Sequence, residues 1–135
     1  MKKRILFVCL GNICRSPSAE AIFAKMADDR GLGDYFEVDS AGTGGWNIGK
    51  PADQRMQQHA VKRGYLLNSV GRKFEPDIDF DKFDFIFGMD SEIMATLHSL
   101  ARNSNDRAKV RNITDFCTVF SYSSVPDPYY GGEEG

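Results

Sequence analysis

Cys9 and Arg15 stand five residues apart at the end of a short apolar run, with Leu10, Gly11, Asn12, Ile13 and Cys14 between them and Ser16-Pro17 behind. A thiolate on the floor of a loop, ringed by backbone N–H groups and closed by a guanidinium, is equipped to attack a phosphoryl group. The amides of residues 10–15 and a bidentate Arg15 would hold the phosphate dianion. The same donors would stabilise the charge that grows on its equatorial oxygens as sulfur attacks phosphorus. Losing one such donor typically raises the barrier by roughly 3 kcal/mol. Ser16 could donate a hydrogen bond to the thiolate. A bare Cys-x5-Arg spacing recurs by chance. Preceded by a strand and followed by Ser-Pro and a helix, it outweighs the alternative of two buried structural cysteines.

Sulfur attack on a phosphate ester also needs an acid for the leaving group, within hydrogen-bond reach. Asp127, in Val125-Pro126-Asp127-Pro128-Tyr129-Tyr130, is the candidate: two prolines stiffen the chain around one carboxylate. That carboxylate could later take a proton from the water attacking a cysteinyl-phosphate. Pro-Asp-Pro is also common loop punctuation, so this residue pattern alone leaves both roles open. Other phosphate-binding loops fit poorly. Gly-x-x-x-x-Gly-Lys-Ser/Thr and Gly-x-Gly-x-x-Gly are both absent after the first strand, and Gly42-Thr43-Gly44 lacks a third glycine. No metal and no cofactor are expected. Cys9 and Cys14 lack a further ligand pair, and His59 and His98 read as surface or structural residues on helices.

The elements that must position this loop follow from pattern. Ile5–Val8 is continuously apolar, which suits a central parallel strand covered on both faces, and it delivers Cys9 at its C-terminal end. Ser16 can cap a helix with Pro17 in its first turn, and Ala19, Ile22, Phe23, Met26 and Ala27 mark one face before residues 28–33 end it. Residues 36–40 alternate as a second strand, and 41–51 form a glycine-rich loop holding the lone Trp46. Gly42, Gly44 and Gly45 read either as turn chemistry or as a direct approach to ligand. A helix is expected over about 53–63. Residues 68–81 are polar and mixed, with Pro76 against a regular central strand. A third strand is expected over 83–87, then a helix capped by Asp90 that carries Ile93, Met94, Leu97 and Leu100 and ends at 103–106. A short fourth strand is expected over 109–113, with loop from Thr114 on. Alternating strand and helix predict βαβ units, a parallel sheet and helices on both faces, with ligands at the C-terminal strand ends.

The 135 residues suit one domain; 41% are hydrophobic and 27% charged, as in globular proteins. The net charge of -2 shows no basic excess, which counts against nucleic acid as partner. The basic start, Met1-Lys2-Lys3-Arg4, precedes too short an apolar run for a signal peptide or membrane span, so a cytoplasmic location without membrane attachment is expected. Three cysteines make no disulfide scaffold.

Cys9-Leu10-Gly11-Asn12-Ile13-Cys14-Arg15-Ser16-Pro17, together with Asp127-Pro128-Tyr129-Tyr130, resembles the low-molecular-weight protein tyrosine phosphatase family. The likeness runs along essentially the whole chain and includes Asp39-Ser40-Ala41-Gly42-Thr43 and Phe87-Gly88-Met89-Asp90. It implies a three-layer αβα fold with a four-stranded parallel sheet of order 2-1-3-4. It implies Cys9 as nucleophile, Arg15 as phosphate clamp and Asp127 as acid and then base. Asn12 would keep the loop conformation and Ser16 would stabilise the thiolate. Trp46, Tyr129 and Tyr130 would wall a slot deep enough for the ring of phosphotyrosine and too deep for phosphoserine. Cys14 would be a reversible redox guard for Cys9. The implied partners are tyrosine-phosphorylated proteins.

Alternatives remain. Phosphoarginine phosphatases look similar but typically carry threonine where this chain has Ile13. Arsenate reductases relay a disulfide to later cysteines, and here Cys117 is the one later cysteine. A silent phosphoprotein-binding module would need no acid at Asp127. The family often has asparagine where this chain has Ile93, and histidine where it has Asn47. It normally continues past Gly135 with an amphipathic C-terminal helix on the sheet, so residues 1–135 read as a single phosphatase domain that is C-terminally incomplete. An uncovered sheet face then predicts low stability or a non-native, swapped dimer.

Overall fold

In the computed structural model, residues 2–12, 15–44, 48–51, 54–62 and 70–113 are described, with the backbone alone for Arg15, Arg55 and His59. The sheet is built around β1 (Lys3–Cys9), buried at every position from Ile5 on. β2 (Phe36–Gly42) pairs with β1 on one side, Cys9 opposite Gly42. β3 (Phe85–Gly88) pairs with it on the other, Val8 opposite Gly88. β4 (Val110–Asn112) pairs with β3. All the pairings are parallel, so the order is β2-β1-β3-β4, as expected.

Because side chains alternate along a strand, β1 feeds two cores. Leu6 and Val8 join Phe74, Phe80, Phe83, Ile86, Ile93, Leu97 and Val110. These come largely from α3 (Pro76–Lys82) and α4 (Ser91–Leu100) with the sheet. Ile5, Phe7 and Cys9 join Met89 and the half-buried Ala19, Phe23, Phe36, Phe85 and Phe87 on the opposite face, under α1 (Arg15–Asp29). Phe7 and Phe87 stack at 5.7 Å, and Phe23 meets Phe36 edge-on at 5.1 Å. α2 (Gln54–Lys62) falls within the expected helix, and α5 (Ser104–Lys109) precedes β4. Among the described residues, no helix is long and apolar enough to cross a membrane.

Several expectations need correction. The helix face read as Ala19, Ile22, Phe23, Met26 and Ala27 is rotated: Ala27 is buried, but Ile22 and Met26 are exposed. The inward stripe follows Ser16, Ala19, Phe23 and Ala27, and each exposed residue lies about 100° round from its inward neighbour. The stretch 68–81 reads only as polar and mixed, yet Pro76–Lys82 forms α3, with Pro76 in its first turn, Asp77 and Asp79 near its N-terminus and Lys82 near its C-terminus. Phe83 therefore ends α3, and the third strand starts at Phe85. Residues 103–106, read as the end of the helix after the third strand, instead start α5: α4 already stops at Leu100, and Asn103 accepts a hydrogen bond from the Asp106 N–H at 2.9 Å. Asp90 caps α4 as expected, accepting from the Ile93 N–H at 2.8 Å. Ala41 and Gly42, read as loop, belong to β2.

Candidate active site

Cys9 lies at the C-terminal end of the central strand, 3% exposed, where chains of this architecture present ligands. The backbone N–H of Asn12 donates to Cys9 Sγ at 3.1 Å, and Ser16 Oγ lies 2.9 Å from the same sulfur. Ser16 was expected as an N-cap. It sits instead inside the first turn of α1, with no solvent exposure, and turns its hydroxyl back toward the loop. Ser16 Oγ also lies 2.8 Å from Asn12 Oδ1 and 3.5 Å from the carbonyl oxygen of Ala41. One hydroxyl carries one proton. When Cys9 is a thiol it can donate to Ser16, which donates on to Asn12. When Cys9 is a thiolate, Ser16 must turn its proton to sulfur. Two donors then serve the anion, the Asn12 N–H and the Ser16 O–H, at the N-terminal end of α1, whose dipole favours negative charge.

Asn12 is the hinge of the loop. Its φ is 56°, the left-handed region that asparagine tolerates better than most side chains, and it is 2% exposed. Besides accepting from Ser16, its amide nitrogen donates to the Ser40 carbonyl of β2 at 3.5 Å. Ser40 in turn donates from its hydroxyl to Glu20 Oε1 of α1 at 2.7 Å. The loop is thus tied to the strand beside it and to the helix behind it.

Gly42 has neither of the roles read for it. A Cβ there would lie 2.8 Å from the Leu10 carbonyl oxygen and 3.2 Å from both the N and Cβ of Asn12. It is the flat wall against which the first half of the loop rests. Beyond it, the Thr43 N–H donates to the Cys9 carbonyl and the Gly44 N–H to the Leu10 carbonyl, each at 2.9 Å. Leu10 is 41% exposed at the rim and Gly11 is half-buried.

The structure therefore brings Cys9, Leu10, Gly11, Asn12 and Ser16 together. Ile13, Cys14, Trp46, Asp127, Tyr129 and Tyr130 lie outside the described residues, as does the side chain of Arg15. His98 is exposed. Among the described residues, no group of three or more His, Cys, Asp or Glu side chains is placed to hold a metal ion. Sequence reasoning missed Ser40, Glu20 and the packing role of Gly42. The run Asp39-Ser40-Ala41-Gly42-Thr43 stood out, but the contacts that explain it cross 28 positions from Asn12 to Ser40.

The chain is similar to known proteins. A family model described as low molecular weight phosphotyrosine protein phosphatase matches residues 4–135. A low molecular weight protein-tyrosine-phosphatase of Streptomyces coelicolor is 42% identical over 137 residues, covering 100% of this chain and 83% of that protein. The crystal structure of a protein tyrosine phosphatase from Entamoeba histolytica, with Hepes in its active site, matches with a TM-score of 0.94 and 41% identity, over 98% of this chain and 84% of that one. The Drosophila arginine phosphatase DARP matches with a TM-score of 0.76 and 38% identity, over 85% and 72%.

Proposed function

The chain belongs to the low molecular weight phosphotyrosine protein phosphatase family, and from that membership and the surroundings of Cys9 we propose that it hydrolyses phosphotyrosine in proteins through a cysteinyl-phosphate. The sulfur of Cys9 attacks phosphorus, the S–P bond forms, and the P–O bond to the tyrosyl ring breaks. Asp127, as the carboxylic acid, gives its proton to the departing phenoxide. Water then attacks the cysteinyl-phosphate and Asp127, now the carboxylate, takes the proton of that water. The S–P bond breaks, inorganic phosphate leaves and the thiolate is restored. Arg15 and the amides of Leu10, Gly11, Asn12, Ile13 and Cys14 hold the equatorial oxygens in both steps. Trp46, Tyr129 and Tyr130 wall the slot for the ring, and when a peroxide oxidises the Cys9 thiolate to a sulfenic acid, the Cys14 thiol displaces water from it to form a protective disulfide.

The observation that carries this reading is the pair of contacts at one buried sulfur, the Asn12 N–H at 3.1 Å and Ser16 Oγ at 2.9 Å. A structural cysteine in an apolar core needs neither. The likeness to an arginine phosphatase favours phosphoarginine as the second substrate to test, and Ile13, which lacks the threonine hydroxyl, argues for the aryl ester. A phosphate-release assay on phosphotyrosine, phosphoserine and phosphoarginine peptides decides between them. Phosphotyrosine should be hydrolysed well ahead of the others, Cys9→Ser should abolish turnover, and Asp127→Ala should slow phosphotyrosine more than an ester whose leaving group needs no proton. Undiminished turnover by Cys9→Ser would refute the mechanism, and preference for phosphoarginine would refute the substrate.

A further inference from the structure

Gly42, the wall behind the loop, is held from both sides. On one side it pairs with Cys9 of β1. On the other, residues 72–74 run parallel to the end of β2: the Gly42 N–H donates to the Arg72 carbonyl at 2.8 Å, and the Phe74 N–H donates to the Gly42 carbonyl at 2.7 Å. The same segment continues backward as a strap, where the Gly71 N–H donates to the Lys50 carbonyl and the Gly49 N–H to the Gly71 carbonyl. This segment belongs to none of the four strands, and a side chain adds to these backbone bonds in holding it. Its anchor is Arg72. The guanidinium donates from Nε to Asp39 Oδ2 on β2 at 3.1 Å and from Nη1 and Nη2 to both oxygens of Asp79 on α3 at 3.0 and 3.1 Å. Asp79 is 2% exposed and also accepts from the Glu75 N–H at 2.8 Å, so the guanidinium is the charge partner of a buried carboxylate. Burial works against the charge on Arg72, and the carboxylates of Asp79 and Asp39 outweigh it, so its pKa is raised.

We propose that Arg72 is a positioning residue for the phosphate-binding loop: by tying the strap to β2 and α3 it sets where Gly42 stands, and through Gly42 the shape of the loop from Leu10 to Asn12. This rests on the phosphatase reading above. The lever is short. Gly42 has no spare room against the Leu10 carbonyl, so a shift of the strap toward the loop is passed on directly, and misplacement by 1 Å can slow a reaction by about 100-fold.

A matched control exists in the same molecule. The Arg102 side chain is 32% exposed, against 31% for that of Arg72, and it likewise bridges carboxylates, Asp81 at 2.6 Å and Asp106 at 2.8 Å, with Asp77 farther off at 4.0 Å. It joins α3 to α5, its guanidinium donating to Asp81 of the one and Asp106 of the other. The test compares Arg72→Met, Arg72→Lys and Arg102→Met with the parent, each at a temperature where circular dichroism shows it folded. The readouts are kcat and KM on a phosphotyrosine peptide, and the vanadate concentration that protects Cys9 from iodoacetate. Arg72→Met should lower kcat by roughly 10- to 100-fold, more than it changes KM, and weaken vanadate protection. Arg72→Lys, which keeps the charge but cannot span both carboxylates, should fall between. Arg102→Met should lower the Tm and leave kcat and vanadate protection at parental values. Should Arg72→Met not fold, Arg72→Met/Asp79→Asn removes the buried charge with its partner and carries the measurement. Parental kcat and vanadate protection in the folded Arg72 variants would overturn the proposal. A parent that binds vanadate without turning over phosphotyrosine would refute the substrate reading, and the protection assay would still decide the role of Arg72. A parent that does neither overturns both.

Discussion

Replacing Asn12 in two ways separates the backbone of the loop from the side chain that ties it down. Asn12→Gly keeps a φ of 56° without strain and keeps the N–H that donates to Cys9 Sγ, while removing the amide. Ser16 loses its 2.8 Å acceptor but still has Cys9 Sγ at 2.9 Å and the Ala41 carbonyl at 3.5 Å, so no hydroxyl is orphaned. The Ser40 carbonyl loses only a long 3.5 Å contact. The cost is then one good hydrogen bond, about 1 kcal/mol, plus about 0.5–1 kcal/mol for the extra freedom of glycine in the unfolded chain. Asn12→Ala loses the same amide and must also hold an alanine in the left-handed region, which costs roughly 1–2 kcal/mol. The smaller unfolded-state entropy of alanine returns part of this. Alanine should therefore be less stable than glycine by about 1 kcal/mol, or about 3–5 °C in Tm for a chain of this size. Thermal unfolding monitored by circular dichroism measures the difference. Steady-state kinetics on a phosphotyrosine peptide should rank the three in the order Asn, Gly, Ala, because the strained variant is the one that leaves the active loop shape. An alanine variant as stable and as active as the glycine variant would refute the claim that the loop depends on a left-handed residue here.

Gly42→Ala should cost about 1–3 kcal/mol, because the new methyl meets backbone at 2.8 Å rather than a movable side-chain tip. Activity should fall with stability, and a variant with parental Tm and kcat would show that the wall has slack. The acid limb of the stability curve should depend on Arg102. Hydrogen bonds from its guanidinium hold Asp81 and Asp106 below the usual carboxylate range. A carboxylate with a depressed folded pKa contributes stability that is complete above its unfolded value near 4 and is lost as pH falls through the lower folded value. Urea midpoints should therefore drop steeply below about pH 4 in the parent and less steeply in Arg102→Met. Parallel curves for the two would refute the pairing as the source.

The elements that were legible in the sequence are those whose signal is local. Ile5–Val8 is apolar at every position because both faces of β1 are covered, and Asp90 announces α4 because a cap and its partner lie three residues apart. What was not legible depends on partners far away in sequence. Residues 76–82 read as polar because Asp79 counts as a surface residue on any hydropathy scale, yet its charge is met by Arg72 seven positions earlier and by a helix N-terminus of its own making. Pro76 at a helix start, with acids behind it, was the available signal, but it competed with the reading of proline as a strand breaker. Ser16 shows the same competition at the site itself. A serine before proline at a helix start is an N-cap by every local rule, and it is diverted because a sulfur seven residues back offers its hydroxyl a buried partner. Cys9 and its loop could thus be singled out from spacing, since the loop is contiguous. The pieces that hold the loop in shape could not, since Asn12 reaches 28 positions to Ser40 and Arg72 reaches 33 to Asp39. Chemistry concentrated in one loop and rigidity drawn from across the sheet is what a site on strand ends requires, because the strand ends meet only when the sheet is assembled. Substitutions at Ser40, Gly42 or Arg72 should on this account alter catalysis without touching substrate.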